Sequence, residues 1–150
     1  MIRCRAQTPS MTAPKGEKLT LRPAIPRSER IGVETMLALA QVAIGGAMGA
    51  SLRYLAVLAF GGPWTTLAIN VLGSFVMGLC YVALAERAAL APLLMTGILG
   101  GFTTFSAFSL DALKLMEASH LGLALLYLGG SVILSLVAVG IGVTIARGLI

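Results

Sequence analysis

Four apolar stretches, at residues 36–60, 64–85, 89–110 and 121–146, fill almost the whole chain beyond its first 35 residues. About 20 largely apolar residues are enough to cross a bilayer, so each stretch qualifies as a span. In lipid a segment must satisfy its own backbone hydrogen bonds, which makes each of them a helix. Composition points the same way: 57% of the 150 residues are hydrophobic and 11% are charged, against about 25% charged in a soluble domain. Too few polar side chains remain to coat a water-exposed core. A collagen, a wholly disordered chain and a disulfide-stapled secreted domain are excluded too.

The links between spans are Gly61-Gly62-Pro63, Glu86-Arg87-Ala88 and the polar segment 111–120. Links this short make sequential helices antiparallel neighbours. The expected fold is therefore all-α, a polytopic membrane unit of four transmembrane helices over residues 36–150. Residues 1–35 read differently. They hold seven of the 11 basic residues (Arg3, Arg5, Lys15, Lys18, Arg22, Arg27 and Arg30) and four of the six prolines, without sustained periodicity. We expect a disordered basic tail there, with no signal-peptide core, and Met36 offers itself as an alternative start. Beside a membrane a basic tail marks a leaflet-facing segment, so no nucleic-acid partner is expected.

Beyond Met36 the basic residues give no instruction about orientation. Arg87 and Arg147 fall on one side of the membrane, Arg53 and Lys114 on the other. Orientation follows the difference in basic charge between sides, and two against two leaves none. Such a chain can insert both ways and pair as an antiparallel homodimer, although the charges of the tail act against this. Small residues recur four apart at Gly45 and Gly49, Gly46 and Ala50, Ser74 and Gly78, and Gly97 and Gly101. This spacing allows helix backbones to approach closely in lipid.

Polar groups inside spans are costly, so each needs an explanation. Thr66, Asn70 and Ser74 share one face of the second span, and Tyr127, Ser131 and Ser135 share one face of the fourth. Single hydroxyls can be absorbed by interhelical or same-helix hydrogen bonds; two such stripes suggest a hydrated track. The third span carries Gly100-Gly101-Phe102-Thr103-Thr104-Phe105-Ser106-Ala107-Phe108-Ser109. Paired glycines are poor helix formers, so this helix is expected to break at Gly100-Gly101, where freed carbonyls could coordinate a cation. Phe102, Phe105 and Phe108 recur every third residue and could line one side. Arg53 lies about 25 Å along the first span and is expected near the far interface, as an anchor or an anion attractor. The chain carries one histidine, His120, and we find no enzymatic constellation, metal cluster or phosphate loop.

Three segments, in order and at matching span positions, resemble the small fluoride-channel family of the CrcB/Fluc type. They are Gly45-Gly46-Ala47-Met48-Gly49-Ala50-Ser51-Leu52-Arg53-Tyr54, then Thr66-Leu67-Ala68-Ile69-Asn70-Val71-Leu72-Gly73-Ser74-Phe75, and the third-span segment from Gly100 to Phe108. The resemblance covers the chain from Met36 onward. It implies an antiparallel, dual-topology homodimer in the cell inner (plasma) membrane, with two pores that let cytoplasmic fluoride leave passively and so relieve its toxicity. Carried over by position, Asn70 is the pore amide and Phe105 and Phe108 are the aromatic pair. Tyr127, Ser131 and Ser135 form the polar track with Thr66 facing it, and Arg53 lies at the vestibule. The Gly100 and Thr103 carbonyls would hold a structural sodium ion (Na+) at the dimer centre. Ala107 departs from the pattern, since many members carry Thr there. Two other classes compete: a small multidrug exporter, which would need a mid-membrane carboxylate for proton coupling, and a non-transporting structural subunit, which leaves the hydroxyl stripes unexplained.

Overall fold

The computed structural model describes residues 27–149, with side chains from residue 32 onward, and the architecture over those residues is helical. Helix α1 spans Arg27–Phe60 and α2 spans Gly62–Ala83. After a 3-10 turn at Ala88–Leu90 comes α3, residues 92–102, made of a π-helical stretch Pro92–Leu99 and one α-helical turn Gly100–Phe102. Helix α4 is Phe105–Glu117 and α5 is Leu121–Leu149. Four stretches are long and apolar enough to cross a membrane: Gly32–Phe60, Gly62–Ala83, Ala88–Glu117 and Leu121–Leu149. The molecule is thus a multi-pass helical membrane protein.

Three boundaries differ from the sequence expectation. Residues 27–35 are helical, where a disordered tail was expected. The rest of the expected tail, residues 1–26, lies outside the described residues. The third span runs on to Glu117, so Asp111, expected in a polar link, is a residue of α4. The glycine pair also behaves differently. Gly100 is helical at φ −64° and ψ −35°, and extended backbone falls instead at Thr103 (φ −76°, ψ 155°) and Thr104 (φ −153°, ψ 125°).

Packing explains why the glycines stay helical. A Cβ on Gly101 would stand 2.6 Å from the Gly46 carbonyl oxygen, and one on Gly45 would stand 3.0 Å from the Gly97 Cα. The small-residue pairs therefore bring α1 and α3 into backbone contact, which is the gain that offsets glycine's poor helix propensity. The same device joins α2 to α5, where a Cβ on Gly142 would stand 3.2 Å from the Gly78 Cα. As a result α1 packs chiefly on α3 and α2 chiefly on α5, while α4 bridges α5 and α2. Sequential neighbours α1 and α2 touch little, contrary to expectation, although Gly61 and Gly62 turn the chain sharply between them at φ 62° and 73°. The buried centre is small: Phe108, Ala112 and Tyr127, flanked by Leu67, Leu115 and Leu128.

Candidate functional site

Where the third span leaves the helix, two neighbouring helices take over its hydrogen bonds. Asn70 of α2 pairs with Thr104 in both directions: its Oδ1 accepts from the Thr104 N–H at 2.8 Å, and its Nδ2 donates to the Thr104 carbonyl at 3.0 Å. This reciprocal pairing leaves one Nδ2 proton uncommitted to Thr104. Thr104 also caps α4, its hydroxyl accepting from the Ala107 N–H at 3.2 Å. From the other side, Arg53 of α1 donates through Nε to the Gly101 carbonyl at 3.2 Å. Arg53 is half-buried and bound to the peptide that precedes the interruption.

These bonds have a consequence for three carbonyls. In a continuous helix Gly100 C=O would accept from the Thr104 N–H, Gly101 C=O from the Phe105 N–H and Thr103 C=O from the Ala107 N–H. The Thr104 N–H is taken by Asn70 and the Ala107 N–H by the Thr104 hydroxyl. Gly101 receives the Arg53 guanidinium instead. Gly100 and Thr103 are thus deprived of their helical donors, and these are the two residues for which the family resemblance implies cation coordination.

Beside the interruption lies a cavity of about 440 Å³ between α2, α4 and α5. Its walls bring together Asn70, Phe105, Phe108, Ser131 and Ser135, five of the residues singled out from sequence, with Thr103 at one edge. The spacing rules explain the convergence. Asn70 and Ser74 lie four apart on α2, and Ser131 and Ser135 four apart on α5, so each helix presents one polar row to the same space. Phe105 is 76% exposed while Phe108 is buried, and their ring centroids are 5.4 Å apart with planes inclined 45°.

Thr66 and Tyr127 are not on that cavity. They are buried and form a separate cluster with the half-buried Asp111, in which the Thr66 hydroxyl donates to the carboxylate Oδ2 at 2.7 Å. The Tyr127 hydroxyl is buried near Thr66 and Asp111 without making a hydrogen bond of normal geometry. Phe108 links the two regions, its ring 5.3 Å from that of Tyr127. Tyr127 in turn meets Trp64 edge to face at 6.1 Å, so four rings run without a gap from Phe105 through Phe108 and Tyr127 to Trp64. Asp111 and Trp64 went unrecognised in the sequence. The available signal for Asp111 was its place one turn beyond Phe108, on the face that α4 turns towards α2 and α5.

The family model described as CrcB-like protein, Camphor Resistance (CrcB), matches residues 40–143. A protein of Cereibacter sphaeroides named Fluoride-specific ion channel FluC is 53% identical over 117 residues, covering 73% of this chain and 94% of that one. The protein of the same name from Paracoccus denitrificans is 51% identical over 116 residues, covering 73% and 94%. That from Agrobacterium fabrum is 44% identical over 124 residues, covering 76% and 99%. By their printed names these relatives are ion channels and not enzymes.

Proposed function

The chain belongs to the CrcB-like protein family, and on that premise we propose that it is a fluoride-selective channel through which cytoplasmic fluoride leaves passively across the plasma membrane. The observation that carries the reading is the convergence of Asn70, Phe105, Phe108, Ser131 and Ser135 on one cavity in a chain 53% identical to a protein named for fluoride conduction. An isolated anion in a low-dielectric medium costs tens of kcal/mol, so a pore must replace the water that fluoride sheds. The uncommitted Asn70 Nδ2 proton, the Ser131 and Ser135 hydroxyls and the positive edges of the Phe105 and Phe108 rings are the donors at hand. The cavity walls carry no full charge that would hold the anion too tightly. Thr66, Tyr127 and Asp111 would form the far end of the path, reached past Phe108.

The functional unit in this reading is an antiparallel homodimer with a structural sodium ion at its centre. The exposed Phe105 phenyl supports a second copy, because it stands beside the cavity with little of its own chain over it. The donor set suits sodium: Gly100 and Thr103 offer hard carbonyl oxygens without their helical N–H partners. Sodium bound there would supply a fixed positive charge near the pores.

The deciding experiment is fluoride efflux from liposomes holding the purified full chain. We expect electrogenic fluoride flux without chloride flux and without a requirement for a proton or sodium gradient. A proton-coupled flux of organic cations would make the chain an exporter of the small multidrug type, and no flux at all a structural subunit. In the same vesicles, a single cysteine near Arg147 should react with an impermeant thiol reagent in about half the molecules, and one-sided labelling of a conducting protein would remove the dual-topology part. Replacing sodium by a bulky organic cation should silence the channel; undiminished flux would remove the sodium.

A further inference from the structure

Among the described residues Tyr127 is the largest side chain that is fully buried, at 0% exposure. Its hydroxyl is near Thr66 and Asp111 but makes no hydrogen bond that fixes it. A hydroxyl in that condition is held in place by the packing of its ring. Two aromatic neighbours supply that packing, Phe108 at 5.3 Å with planes inclined 36° and Trp64 at 6.1 Å with planes at 86°. Phe108 belongs to the cavity, so its position answers to the pore as well. Trp64 does not line the cavity and is half exposed, at 52%.

Trp64 comes from the first turn of α2, directly after Pro63, whose fixed φ holds the start of the helix. Two residues on, Thr66 is buried and bonded to Asp111. One turn of helix therefore supplies both a ring in edge-to-face contact with Tyr127 and the hydroxyl that stands near its oxygen. Edge-to-face contacts are directional, so the indole limits how the phenol can tilt.

We infer that Trp64 is a positioning residue for fluoride passage, holding the Tyr127 hydroxyl beside Thr66 and Asp111 through the edge contact of the two rings. The inference rests on the channel reading above and adds a residue to it that does not touch the ion. A tryptophan near a helix end could also serve only as an anchor at the lipid interface. The two roles differ in one respect: an anchor has no reason to depend on the oxygen of Tyr127.

The test is a double-substitution cycle on fluoride efflux from liposomes, using full-length chains that elute as the unmodified protein does. Trp64→Ala should slow efflux roughly three- to tenfold, while Trp64→Phe, which keeps a ring edge, should stay within twofold. In the Tyr127→Phe background, where the ring remains and the hydroxyl is gone, Trp64→Ala should slow efflux by less than twofold. If Tyr127→Phe conducts too slowly to compare, the unmodified background decides: equal losses from Trp64→Ala and Trp64→Phe would overturn the role of the ring contact. An equal loss from Trp64→Ala in both backgrounds, or no loss in the unmodified chain, would overturn the positioning role. Unmodified vesicles that pass no fluoride would instead overturn the channel reading itself.

Discussion

The two halves of the third span live in different surroundings. Its first half, α3, lies on α1 through glycines, with backbone set against backbone and few side chains between. Its second half, α4, lies on α2 and α5 and carries the aromatic rings and the Thr66–Asp111 bond. The first contact is close because almost nothing intervenes, and close contact of this kind gives rigidity in lipid. The second is looser and leaves a cavity. The seam at Thr103 and Thr104 belongs to both, gripped by Arg53 from the rigid half and by Asn70 from the polar half. A scaffold and a path are thus built from one span by changing what it packs against.

Substitutions can break that contrast or sharpen it. The largest effect is expected from Gly101→Val, whose Cβ would stand 2.6 Å from a backbone oxygen that cannot move aside. Overpacking of this kind costs about 3 kcal/mol, and the folded protein recovered from detergent should fall sharply. Normal recovery would show that the α1–α3 contact is not rigid. Next comes Asn70→Asp, which removes the donor to the Thr104 carbonyl and sets a carboxylate against it and the cavity. Fluoride efflux should drop at least about 100-fold, as befits a carboxylate that faces a carbonyl and repels the anion at a cost of roughly 3 kcal/mol, while the protein still elutes as folded. The smallest is Gly140→Ala on α5, where the added methyl meets nothing within 4 Å. Thermal stability should hold or rise by less than about 1 kcal/mol with unchanged efflux. A clear loss there would mean that glycines matter in this protein wherever they occur, and the contrast between its halves would dissolve.

What could be read from the sequence follows from the range of the forces involved. Spans are set by local hydropathy, and the four were legible, with α1 ending at Phe60 as expected. Faces are set by helical spacing, so Thr66, Asn70 and Ser74 could be assigned to one face of α2 and Tyr127, Ser131 and Ser135 to one face of α5 before any fold was known; that Thr66 and Tyr127 lie off the cavity the others share could not. The sequence put an interruption at Gly100-Gly101 because local propensity pointed there, whereas extended backbone lies three residues on, at Thr103 and Thr104. The glycines are instead held helical by α1, and the extended residues by a partner 34 positions away in the chain. The bond of Arg53 was out of reach for the same reason, since its acceptor Gly101 is 48 residues distant. Asp111 was assigned to a loop because a charge ends an apolar run, whereas Thr66 gives that charge a place inside a helix. Each of these errors concerns a contact that no local window contains.

The pairing of Asn70 with Thr104 also sets an order of events during biosynthesis. Asn70 precedes Thr104 by 34 residues, so at about 5 to 20 residues per second the amide leaves the ribosome about 2 to 7 seconds ahead of the peptide it will hold. The second helix is complete before the third has been made. The peptide that leaves the helix at Thr104 is therefore synthesised when the donor and acceptor that will hold it already exist on α2.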